Sequence, residues 1–174
     1  YEVDFVRKGT SLEYTAHKGE DSLLIQHQRR SPNHFVKMKP SLVREMKNHR
    51  FFSKGSVTYP VVSPEDLVLR KASRIKTFSD EYNIRIPDNA PINWLMEVSD
   101  KMRGEILSRL GDVSPEDVAR LRLYYDCADI KLLAEYAGFN STYLDEGMKD
   151  WTKGYGINER DFARVFDRLD VSFN

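Results

Sequence analysis

Residues 1 to 6 alternate along the chain, with Val3 and Phe5 on one parity and Glu2 and Asp4 on the other, which is the period of a strand. Gly9-Thr10 marks a turn, and Ser11 to His17, carrying Leu12, Tyr14 and Ala16, predicts a second strand. Asp21 to Gln28 holds Leu23, Leu24 and Ile25 in a short apolar run that suits strand or helix, and strand is the reading adopted. Ser41 follows a proline and precedes Leu42, Val43 and Met46, so Ser41 to His49 reads as a short helix capped by Ser41. Val57 to Val62 reads as a further strand, which Pro60 confines to a sheet edge because proline cannot donate to a ladder.

From there the period lengthens to that of helices. Ser63 and Ser114 each head the tetrapeptide Ser-Pro-Glu-Asp. A serine hydroxyl accepts N–H groups of a first turn, proline fits the first helical position, and the acids face the positive end of the helix dipole. The first helix is predicted from Ser63 to about Thr77, and the second from Ser114 to Tyr136, with Gly138 as its stop. Between them Ile92 to Leu110 places Trp94, Leu95, Val98, Met102, Ile106 and Leu110 on one side, and Trp94, Met96 and Met102 are read as core. Thr142 to Thr152 and Asn158 to Leu169 complete the helices, separated by Gly154-Tyr155-Gly156. The sum is an α+β protein: a short mixed sheet in residues 1–62, followed by a helical bundle in residues 63–174.

Composition changes this picture little. The 27 Lys and Arg of the 174 residues are matched by 27 Asp and Glu, so only the distribution of charge can point to a partner. That distribution is uneven: Arg29, Arg30, Lys37, Lys39, Arg44, Lys47, Arg50 and Lys54 face only Glu45 over one stretch, with histidines and phenylalanines interleaved. Such a strip suits nucleic-acid contact through backbone charge and stacking, with Arg29, Arg30, Lys37 and Lys39 as its leading residues, or else a solvated face. The single cysteine, Cys127, excludes an internal disulfide framework and fits a reducing, cytoplasmic setting. No run is apolar enough to span a membrane, and no signal peptide is visible. The chain opens on Tyr1, already in strand pattern, and a segment upstream of it is expected.

Three groups of residues can carry chemistry. Asp4 sits in an apolar strand, where a carboxylate needs a partner or a metal, or else faces water on the polar parity that it shares with Glu2. Lys71, with Arg70 and Arg74, lies just beyond the first serine cap, where a cation can meet phosphate oxygens or simply form a solvated basic face. Asp126 and Asp129 are three apart, hence on one helix face, and read as an ion pair to the first helix or as metal or substrate ligands.

In order along the chain, the strand with Asp4, the helix start Ser63 to Lys71 and the stretch Asp126 to Leu133 resemble the abortive-infection-type (toxin-like) nucleotidyltransferase family of toxin–antitoxin systems. The resemblance implies a small mixed sheet with a following helical bundle, magnesium, a nucleoside triphosphate, and transfer of a nucleotide to RNA or protein. It assigns the third catalytic acid to Asp4, which with Glu2 would hold magnesium. It assigns the triphosphate to Lys71, flanked by Arg70 and Arg74, on the helix that begins with Glu65 and Asp66. Asp126 and Asp129 would be the acid pair of the later helix, although Tyr125 stands where the family carries a basic residue. No Gly-Ser turn with paired acids precedes Asp4, so the chain is expected to be incomplete or inactive as it stands. The alternative is a non-catalytic effector module that uses the basic strip to hold nucleic acid or a protein.

Overall fold

The computed structural model describes residues 2–8, 11–18, 21–28, 50–54, 57–109 and 112–173, with side chains at 53, 58, 61–109, 112–153 and 156–173. The chain divides into two compact units, Tyr1–Lys39 and Pro40–Asn174. The first holds three strands, β1 (Glu2–Lys8), β2 (Ser11–Lys18) and β3 (Asp21–Gln28), each antiparallel to the next. The second begins with an antiparallel pair, β4 (Arg50–Lys54) and β5 (Val57–Val61). The helix expected over Ser41 to His49 lies outside the described residues.

Five helices follow among the described residues: α1 (Pro64–Tyr82), α2 (Ile92–Ser108), α3 (Pro115–Tyr136), α4 (Ser141–Tyr155) and α5 (Glu159–Leu169). This overturns the expected α+β fold with its mixed sheet. Among the described residues the strands pair only antiparallel, in two separate sheets, and the body whose side chains are described is helical. Two residues separate β1 from β2, β2 from β3 and β4 from β5. So short a link permits a hairpin and forbids the crossover of a dozen or more residues that a parallel pair needs.

Helix α1 is the hub, packing against α3, α4 and α5, whereas α2 packs mainly against α3. The reason is in the spacing. Val68, Leu69, Ala72 and Ile75 recur at intervals of three and four and are fully buried. They meet Leu123, Cys127 and Ile130 of α3 and Phe162, Val165 and Leu169 of α5 in one core. Helix α2 buries only Leu95 and Ser99. The reading of Trp94 and Met96 as core is therefore corrected: they are 43% and 37% exposed. A helix with one main neighbour covers only a narrow stripe.

The helix ends follow local chemistry. Asn83, in the left-handed region at φ 52°, closes α1 five residues beyond the expected Thr77. Gly156, at φ 69°, closes α4, and an Asn158–Asp161 capping box opens α5. Gly138 does not stop α3. The chain leaves that helix at Ala137 in extended conformation, with its N–H still bonded to the Leu133 carbonyl.

The two Ser-Pro-Glu-Asp caps make the same bonds in different surroundings. Ser63 Oγ accepts the Asp66 N–H at 3.1 Å and donates to Asp66 Oδ2 at 2.9 Å. Ser114 repeats this with Asp117 at 3.0 and 2.9 Å. Ser63 is buried and Ser114 exposed. Water can replace a lost hydroxyl only at the second. Ser63→Ala is therefore expected to cost about 2 kcal/mol and Ser114→Ala about 0.5 kcal/mol, the two ends of the range for serine caps. Urea unfolding of the two variants checks the order, and equal losses would contradict it.

Candidate functional site

Lys71 and Arg74 are three apart on α1, and Asp126 and Asp129 three apart on α3, so each pair shares a helix face. The packing of α1 on α3 brings the four together. Arg74 grips Asp126 with a two-pronged fork, Nε to Oδ2 and Nη2 to Oδ1, both at 2.5 Å. Lys71 Nζ donates to Asp126 Oδ1 at 3.2 Å and to Asp129 Oδ2 at 2.5 Å. Asp126 is 3% exposed at its side chain and Lys71 13%, while Arg74 and Asp129, at 36% and 43%, form the outer rim. The bond to Asp126 raises the Arg74 pKa above its ordinary value, outweighing the opposing effect of burial. Arg70 is half-buried one position before Lys71.

A second acidic pair lies at the start of α1. Glu65 and Asp66 are each 1% exposed. Glu65 Oε1 accepts the Asn140 N–H at 2.8 Å, and Asp66 Oδ2 accepts the Tyr143 hydroxyl at 2.6 Å. Asn140 in turn caps α4, so the two acids tie the N-termini of α1 and α4 to each other. Glu65 and Asp66 thus serve helix docking, beyond the local capping that their sequence predicts. Asn140 and Tyr143 escaped the sequence reading because nothing in their spacing links them to residues 75 and 77 positions earlier.

The chemistry open to these residues is limited by what they already hold. For a triphosphate to take Lys71 and Arg74, Asp126 must give them up. Leaving a buried carboxylate unpaired costs about 3–5 kcal/mol, against about 1.5–3 kcal/mol for a hydrogen bond to a charged group. The exchange is unfavourable. Magnesium fits no better, because both Asp126 oxygens already face cations. Among the described residues no group of three or more His, Cys, Asp or Glu side chains is placed to hold a metal ion.

The other expected site residues are placed only in part. Glu2 and Asp4 stand on β1 opposite His17 and Thr15 of β2, and their side chains lie outside the described residues. Arg29, Arg30, Lys37 and Lys39 also lie outside them. Tyr125, where the resemblance expects a cation, donates its hydroxyl to Asp100 Oδ1 at 2.9 Å. Burial first, and Asp100 second, raise its pKa. No helix among the described residues is long and apolar enough to cross a membrane.

No family model, no curated protein and no solved structure matches this chain.

Cys127 lies beside Asp126 with its side chain fully enclosed. Burial, reinforced by the Asp126 carboxylate, pushes its thiol far above the ordinary value. The folded state therefore holds this proton more tightly than the unfolded state. The resulting stability is complete below the unfolded thiol value of about 8.5 and is lost as pH rises above it. Native protein at pH 8 is expected to leave Ellman's reagent unreacted, and protein in guanidinium to react with one equivalent. Between pH 8.5 and 10.5, Cys127→Ala is expected to show a shallower fall in stability than the parent chain. A rapidly titrating native thiol, or parallel pH slopes, would contradict this placement.

Proposed function

We propose that this chain carries part of a nucleotidyltransferase-like protein without completing its catalytic site. The carrying observation is the convergence of Lys71, Arg74, Asp126 and Asp129 on one α1–α3 junction, where acids and bases neutralise each other. The two helical motifs behind the resemblance meet there, and their bonding favours an architectural role over a triphosphate seat. The resemblance leaves metal chemistry to Glu2 and Asp4, and nucleotidyl transfer requires further clustered acids beside these two. Transfer to RNA or protein belongs to this reading only when those acids are supplied from elsewhere. The mixed-sheet core implied by the resemblance forms no part of it.

Two measurements test the reading together. Radiolabelled nucleoside triphosphates with magnesium, offered with RNA and protein acceptors, are expected to give no transfer above the protein-free background. Transfer that Asp4→Asn abolishes would contradict the proposal. In a calorimetric titration of magnesium–ATP, Lys71→Ala is expected to leave the heat unchanged while lowering the unfolding midpoint by several degrees. Loss of micromolar nucleotide binding without loss of stability would return Lys71 to the triphosphate.

A further inference from the structure

We infer that a continuous surface formed by α5, the α1–α2 connection and the start of α2 binds single-stranded nucleic acid. It is distinct from the basic strip that the sequence suggested, and it does not depend on the proposed nucleotidyltransferase relationship. Helix α5 buries Phe162, Val165, Phe166 and Leu169 and carries Arg160, Arg164 and Arg168 at intervals of four on another face. Four residues of helix rise about 6 Å, so the three guanidinium groups form a ridge along the helix. Among the described residues, no carboxylate lies within 4.0 Å of Arg160 or Arg164. Arg168 pairs with Asp88 at 3.1 Å, and Arg85 approaches the same carboxylate at 4.0 Å. Both pairs are exposed, so a phosphate can replace Asp88 at little cost.

Three adjoining depressions follow this ridge. Two flank Arg164 and Arg168, at about 610 and 510 Å³, and the second is also lined by Lys76 and Arg85. The third, of about 380 Å³, shares Arg85 with the second and Asp88 with the first, and ends at Trp94 and Tyr124. Five cations (Lys76, Arg85, Arg160, Arg164 and Arg168) and three acids (Asp80, Asp88 and Asp167) line the whole track. The Trp94 and Tyr124 rings stand 5.9 Å apart at 43°, with Trp94 43% exposed. An exposed indole next to an arginine track gives a base a stacking surface while its phosphates meet the guanidinium groups, the combination that holds single strands. A peptide of acidic residues alone would use the arginines and leave the indole unused.

The track is also held in shape. The Asn89 N–H donates to the Arg168 carbonyl at 2.7 Å, with Asn89 in the left-handed region at φ 44°. Lys131 Nζ donates to the Leu169 carbonyl at 2.6 Å and reaches Asn89 Oδ1 at 3.5 Å. The connection bearing Arg85 and Asp88 is thereby fastened to the end of α5. Ridge and aromatic cleft consequently keep a fixed spacing.

Fluorescence anisotropy with fluorescein-labelled single-stranded 12-mers, RNA and DNA in separate arms, tests the inference. Binding is expected at 50 mM salt. With about three phosphates neutralised, it should weaken about 20-fold by 200 mM salt. Arg160→Glu with Arg164→Glu, both exposed and outside the core, is expected to weaken it at least tenfold with the unfolding midpoint preserved. Trp94→Ala is expected to weaken it between about 5-fold and 150-fold, the range for loss of one stacked base. Absence of binding at 50 mM salt would overturn the inference. So would binding that survives these variants but is lost with Arg29, Arg30, Lys37 and Lys39 changed to alanine, or polyglutamate competing as well as RNA with no dependence on Trp94.

Discussion

The carboxylate of Asp126 is the constraint around which the helical body is arranged. It is almost wholly enclosed, it lies on α3, and the cations that neutralise it are on α1, the one helix that touches α3, α4 and α5. An unpaired charge at that depth is not tolerable, so α1 and α3 can pack only in the register that delivers Lys71 and Arg74 to it. The bidentate fork of Arg74 makes this requirement directional as well as electrostatic. Asp129 then completes the coordination of Lys71, whose compact ammonium can serve two carboxylates at once. The burial of Cys127 between Asp126 and the core belongs to the same packing.

A second acidic fastening works at the opposite end of the logic. Glu65 and Asp66 are ordinary cap acids by sequence, yet they reach across to Asn140 and Tyr143 and align two helix N-termini. α1 is therefore fixed along its length by charge toward α3 and by hydrogen bonds toward α4, with apolar packing between. α2 is tied to α3 by the Tyr125–Asp100 hydrogen bond and packs mainly against that helix, which leaves Trp94 facing solvent beside Tyr124.

Much of this was legible along the chain, and the parts that were not share a cause. Serine caps marked the starts of α1 and α3, an apolar stripe marked α2, and the Gly154-Tyr155-Gly156 break separated α4 from α5, with Gly156 and Asn158 as the observed caps. The pairing of Asp126 and Asp129 with α1 was one of two readings open from their spacing. Strand direction is not carried by alternation, and the links that exclude parallel pairing are only two residues long once the strands extend to Lys8 and Lys18. The stop that a glycine at 138 predicts is made by Ala137, which leaves helical conformation. The exposure of Trp94 depends on which helices find α2, and a hydrophobic stripe carries no record of how many neighbours it has. The four-residue spacing of Arg160, Arg164 and Arg168 is visible in the sequence, but the strip nearer the N-terminus is denser in charge and dominates the pattern.

The charge cluster thus accounts for the register of the helices, and the same bonds explain why its cations are poor candidates for holding phosphate. A double-mutant cycle on Lys71→Met and Asp126→Leu, followed by equilibrium unfolding in urea, measures that claim directly. The account predicts that Lys71→Met is costly in the parent chain and nearly neutral once Asp126 is leucine, a coupling of about 2 kcal/mol. Additive effects, with coupling near zero, would mean that the pair does not hold α1 against α3, and would contradict it.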